Sequence, residues 1–114
     1  MAENATGVRR FYRIVTSIPP TLEDFTSRAA RGKPPHSDDP RILRLEEGIS
    51  VFVTLAQARA VARRFPVLGG SIAEIVIPDG FPVNIERTGG KGHHTIWGDP
   101  ADIQRWVTSI YPVA

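Results

Sequence analysis

The residues of this 114-residue chain that could do chemistry are few: three histidines, twelve arginines, and scattered serines and glutamates on apolar segments. There is no cysteine, which excludes a thiolate nucleophile, a disulfide frame and a cysteine-ligated zinc. His93-His94 is the most distinctive pair. On a strand, neighbouring side chains face opposite sides, so the two cannot easily share one metal. One is expected to face the core or a cleft and the other solvent. A cleft-facing imidazole titrates near neutrality and suits acid–base work; a hydrogen-bonded structural histidine is the plainer alternative. His36 stands apart in the stretch KPPHSDDPR (33–41), and a three-histidine zinc site would need that loop folded over the sheet. Glu74 and Glu86 lie in apolar strand-like runs. Burial would raise the pKa of either and make it a candidate base; a solvated sheet face is the alternative. Glu74 shares its face with Ile72 and Val76, and Glu86 shares its face with Asn84. No nucleophile elbow or Walker pattern occurs. The Gly-rich run Thr88–Gly92 precedes a strand rather than a helix, so it reads as a hairpin loop and not a phosphate cradle.

The composition frames this chemistry. Hydrophobic residues make up 41% and charged residues 23%, which argues for one soluble globular domain and against disorder. The net charge is +2, too small an excess for a nucleic-acid tail. Twelve of the fourteen cations are arginine, the residue suited to forked contacts with phosphate or carboxylate; coding bias gives the same skew. No run of 18 apolar residues is present, and the first ten residues lack a secretory stretch, so a cytoplasmic protein is expected.

Ten glycines and ten prolines punctuate the elements that must position these groups. Residues 1–8 read as a loose tail and 9–114 as one domain. Residues 10–15 read as a first strand, with Phe11 and Arg13 on one face and Tyr12 and Ile14 on the other. Thr21 and Asp24 predict a capped helix ending at Gly32. Residues 41–45 form a short element. Strand 49–53 leads into a helix capped by Thr54 and Gln57 and running to about Phe65, with Leu55, Ala58, Val61, Ala62 and Phe65 as its apolar stripe. Residues 72–77 and 82–87 read as paired strands, and 93–97 as another. Asp99-Pro100 starts a helix whose face carries Ile103, Trp106, Val107 and Ile110. Residues 111–113 suggest an edge strand. The expected fold class is α+β, with small mixed or antiparallel sheets and two to three helices.

The serial arrangement resembles the ADP-ribosyltransferase-like fold. The likeness is carried by Arg13 within Phe11–Val15, by the strand Gly48–Phe52 leading straight into a Thr54-capped helix, by strand 72–77, and by the late strand His93–Trp97 after a Gly-rich loop. The resemblance implies a NAD-binding cleft between two small sheets, a transferase activity, and a bacterial toxin-type effector role. It implies that Arg13 holds NAD phosphate or ribose and that Ser50 orients the catalytic group. Tyr12, Phe52 or Trp97 would flank nicotinamide. The late glutamate of the Arg–Ser–Glu type has no counterpart: His93 and His94 stand in its place, and Glu86 lies one strand early. The candidate catalytic residues are therefore His93, His94 and Glu86, and the candidate cofactor-binding residues Arg13, Ser50, Tyr12 and Trp97.

Two other readings compete. The missing carboxylate fits a non-catalytic interaction module, such as an antitoxin-like or accessory protein; an exposed tryptophan patch would favour it. An RNA-binding domain would use Arg59, Arg63 and Arg64 with Tyr12 or Trp97 for stacking, but the small charge excess disfavours it. The expected partners are thus a small-molecule nucleotide and a protein target, with neither nucleic acid nor membrane.

Overall fold

Six strands form one antiparallel sheet in the computed structural model, which describes residues 9–90 and 92–114. They are β1 (Arg9–Val15), β2 (Ile49–Phe52), β3 (Ser71–Ile77), β4 (Asn84–Arg87), β5 (His93–Trp97) and β6 (Val107–Pro112), in the order β4-β5-β2-β1-β3-β6. Three helices accompany them: α1 (Pro40–Leu45), α2 (Leu55–Arg64) and α3 (Pro100–Arg105). The class is α+β, as expected. The expected tail, residues 1–8, lies outside the described residues.

Alternation distributes side chains to two cores, one on each sheet face. Phe11 and Val15 of β1 join Val51, Ile75, Ile96, Ile103 and Trp106 in the larger core. Tyr12 and Ile14 turn to the opposite face, where α2 lays Ala58 and Ala62 onto Phe52 and Ile72. The two alanines are almost fully buried, so the α2 backbone lies close to the sheet. The Thr54–Gln57 capping box forms as read: the Gln57 N–H donates to the Thr54 hydroxyl at 3.1 Å, and the Thr54 N–H donates to Gln57 Oε1 at 3.2 Å. Arg59 and Arg63 of α2 donate to the carbonyls of Pro112 and Val113, tying down the final strand.

Three expectations are corrected. The helix predicted after Thr21 is only a 3-10 turn, Leu22–Phe25. The Thr21 N–H does reach Asp24, but the backbone is extended at Thr26, and the next side chains bond locally instead. Thr26 donates to the Leu22 carbonyl, and the Ser27 hydroxyl accepts from the Ala30 N–H. Such bonds compete with helix continuation. Residues 82–87 do not pair with 72–77. β4 lies at the far edge against β5, while β3 takes β1 and β6 as neighbours. Finally, α3 ends at Arg105, and Val107 and Ile110 belong to β6. Trp106 is buried as expected, edge-to-face with Phe81 at 4.7 Å.

The turn between α2 and β3 has one obligatory glycine. Gly69 has φ +147°, and a Cβ there would stand 2.2 Å from the Val15 carbonyl oxygen. Gly70 beside it has open space. Gly69→Ala should therefore cost about 2–4 kcal/mol, a fall in melting temperature of roughly 10–20 °C, because it meets both strain and a backbone clash. Gly70→Ala should change it little. Thermal melts of the two variants check this; equal effects would contradict it.

Candidate functional site

β1 and β2 are paired at Tyr12↔Phe52. Beyond that point β1 continues along β3 to Val15↔Ser71, and β2 continues along β5 to Ile49↔Ile96. The two strands part, and the Arg13 side chain fills the seam. Its Nε donates to the Asp24 carbonyl and its Nη1 to the Ser50 carbonyl, each at 2.7 Å. The guanidinium thus satisfies backbone groups along a seam where the ladder has stopped. Burial, with some repulsion from Arg31, pushes its pKa down to about 10 against the pull of Asp24, so it stays protonated at neutral pH.

A cleft of about 1120 Å³ opens at this seam. Its floor carries Ser50, Phe52, His93 and Thr95, residues of β2 and β5 that share one face by alternation. Ser50 is exposed although it lies in an interior strand, because α2 covers only the neighbouring part of the sheet. One wall is the end of α2 with the 3-10 turn Pro66–Leu68, contributing Val61, Phe65 and Val67. The opposite wall is the chain between β1 and β2, including Asp24, Arg28, Arg31, His36 and Glu46.

Three of the seven sequence candidates meet here: Arg13, Ser50 and His93. His93 is held in a defined tautomer. The Thr88 carbonyl lies 2.6 Å from its Nδ1 and can only accept, so Nδ1 carries the proton. The Thr88 hydroxyl adds a 3.1 Å contact and is itself 2.6 Å from the hydroxyl of buried Thr95. In the neutral ring, Nε2 is then the free acceptor, the form a general base needs.

The other four lie elsewhere. His94 faces the larger core, its ring 5.4 Å from Phe11, and its Nδ1 is buried without a partner among the described residues. Glu86 is gripped by Arg44 through both oxygens, at 3.1 and 2.6 Å. Trp97 donates to the Arg44 carbonyl at 2.9 Å and has that guanidinium 4.1 Å above its ring. Tyr12 donates to Glu74 at 3.1 Å; burial and that bond raise its pKa. Glu74 also accepts from Thr108 and lies 3.5 Å from Arg10, so the candidate base is part of a polar network and not free.

Sequence reasoning missed two carboxylates in the cleft wall. Asp24, 8% exposed, accepts from the Thr16 N–H and hydroxyl at 2.9 and 2.8 Å and from the Thr21 N–H at 3.1 Å. The Thr21–Asp24 spacing signalled a cap, but nothing signalled the return of Thr16. Glu46 sits 2.5 Å from His36 Nδ1 and accepts from the His36 N–H at 3.2 Å, which draws the Pro-rich loop over the wall.

Burial by itself would raise the Asp24 carboxyl, but its three hydrogen bonds and the Arg13 charge outweigh it and hold the pKa below the usual value. A depressed pKa stabilises the fold above the unfolded value near about 4, and that stability is lost as pH falls through the folded value. Asp24→Asn should cost about 1–3 kcal/mol at pH 7, and the gap to wild type should close as melts are taken from pH 5 towards pH 2. A gap that does not depend on pH would contradict this. Comparison of the chain with family models, curated proteins and solved structures returns no match.

Proposed function

We propose that the cleft binds NAD or a related nucleotide, as an ADP-ribosyltransferase-like domain would. The observation that supports this reading most is the meeting of Arg13, Ser50 and His93 at one opening, where the sheet parts. The cleft offers what a nucleotide needs. A fixed guanidinium suits the phosphates, Phe52 and Phe65 offer apolar surface for a base, and exposed Ser50 offers a hydroxyl to a ribose.

The chemistry available to such a site is narrow. Cleaving a glycosidic bond builds positive charge on the ribose, which a carboxylate stabilises and a neutral imidazole does not. Of the three carboxylates that line the cleft, Asp24 and Glu46 are committed to hydrogen bonds, and exposed Glu23 has no side-chain partner among the described residues. His93 Nε2 is the group placed to take a proton from an attacking nucleophile. The reading is therefore nucleotide binding first, with His93 as the acid–base residue of any transfer step.

A second reading, an interaction module, draws on Phe65, Val67 and Leu68 at the cleft mouth, which are 48%, 89% and 45% exposed. The tryptophans give it nothing, since Trp106 is buried and Trp97 is stacked under Arg44. The RNA reading loses Arg59 and Arg63 to the final strand.

The test is a thermal shift with NAD and ADP-ribose. A ligand at a hundred times its Kd stabilises by about 2.7 kcal/mol, an upshift of many degrees in a domain of this size. Ser50→Leu, a strand-compatible change at an exposed position, should keep the unliganded melting temperature and abolish the shift. Millimolar NAD and ADP-ribose leaving the wild type unmoved would remove the reading.

A further inference from the structure

Three arginines and three carboxylates line the cleft, Arg13, Arg28 and Arg31 against Glu23, Asp24 and Glu46, but they are not all paired with one another. Asp24 is committed to Thr16 and Thr21, and Glu46 to His36 and, at 4.0 Å, to Arg28. Exposed Glu23 is the one carboxylate of the lining without a side-chain partner among the described residues. On the cationic side, Arg28 is spent: its Nε and Nη2 donate to the Pro34 carbonyl at 3.1 and 2.8 Å. Arg13 has used Nε and Nη1 on carbonyls, which leaves Nη2. Arg31 makes no ion pair and no side-chain hydrogen bond among the described residues, yet it lines the same cleft.

Arg31 and Arg13 feel each other. After burial, which is the larger cause, the charge of Arg31 also depresses the Arg13 guanidinium, while Asp24 pulls the other way. Asp24 is the larger of these two charge effects and already offsets part of the Arg13 charge, whereas Arg31 has no ion-pair partner among the described residues. The placement of Arg31 is built into the backbone. Its N–H donates to the Ser27 carbonyl at 3.0 Å, and the hydroxyl of buried Ser27 accepts from the Ala30 N–H at 3.1 Å. Gly32 closes the turn with φ +73°, its N–H donating to the Ala29 carbonyl at 3.0 Å. The stem of Arg31 therefore leaves from a fixed turn, while its exposed guanidinium has no partner among the described residues.

We propose that Arg31 and Arg13 form the two arms of an anion site in the cleft, and that this site takes the pyrophosphate of a nucleotide. Arg13 is the fixed arm, locked by its two carbonyls. Arg31 is the unpartnered arm, which closes when the diphosphate arrives. The proposal rests on the reading of the cleft as a nucleotide site and adds to it a residue that the resemblance does not supply. Planar guanidiniums suit this task because each can give two parallel N–H bonds to phosphate oxygens.

The test is calorimetric titration of wild type, Arg31→Ala and Arg31→Lys with inorganic pyrophosphate, ADP-ribose, NAD and adenosine, at two salt concentrations. Arg31 is exposed, so the variants should melt with the wild type. Pyrophosphate and ADP-ribose should bind, more weakly at high salt. Arg31→Ala should weaken both about ten- to a hundred-fold, Arg31→Lys should recover part of the loss, and adenosine should be indifferent to either. Dinucleotides that bind equally well to Arg31→Ala overturn the role of Arg31 and leave the nucleotide reading standing. Pyrophosphate held through Arg31, with NAD and ADP-ribose bound no tighter, supports the anion site and overturns its assignment to a dinucleotide. No binding of any phosphate to the wild type at millimolar concentration overturns both.

Discussion

The Arg13 guanidinium holds the point where β1 and β2 separate, and the rest of the molecule is arranged around that point. The strands are paired at Tyr12↔Phe52 and then follow different neighbours. A sheet that parts leaves backbone groups without ladder partners, and burying them unpaired is costly. Arg13 meets this need with two 2.7 Å bonds, one to the Ser50 carbonyl in β2 and one to the Asp24 carbonyl in the crossing loop. A lysine could not do the same, because a point charge on a flexible stem does not present two donors in a fixed plane. The same parting opens the cleft, so stability at the seam and access to the site depend on one side chain.

The loop between β1 and β2 follows from that arrangement. Asp24 gives Arg13 its backbone carbonyl and turns its carboxylate to Thr16 and Thr21, which fixes the bend as the chain leaves β1. Ser27 and Gly32 shape the next turn, and Glu46 draws His36 and the Pro-rich stretch against the wall. On the other side, α2 is positioned by its capping box and its two buried alanines. The floor is left to β2 and β5, whose alternation places Ser50, Phe52, His93 and Thr95 on one surface.

Much of this was legible in the residues. Period-two alternation in Phe11–Val15 placed Phe11 and Tyr12 on opposite faces, and the same rule separated His93 from His94. The Thr54–Gln57 pair marked the start of α2. Pairing was harder to read. Residues 82–87 follow 72–77 after a turn, and proximity in sequence suggested a hairpin, but Ile85 pairs with Ile96 across the far edge of the sheet. The helix predicted after Thr21 failed because Thr26 and Ser27 turned their hydroxyls to local backbone groups. The candidate site was read in part. Arg13, Ser50 and His93 converge, whereas Tyr12, Trp97 and Glu86 are taken up by Glu74 and Arg44, partners too distant in sequence to be seen. Arg31 gave no signal, because one arginine among twelve is distinguished only by what it does not touch.

The central claim is that the opening beside Arg13 is a ligand site whose floor is the shared face of β2 and β5. Backbone and imidazole NMR resonances followed during titration with NAD test it most directly. Saturable shifts are expected at Ser50, Phe52, His93 and Thr95, including the His93 Nε2 resonance, with His94 and the Arg44–Trp97 region unmoved. Shifts centred on β4 and α1, or none at millimolar NAD, would contradict it.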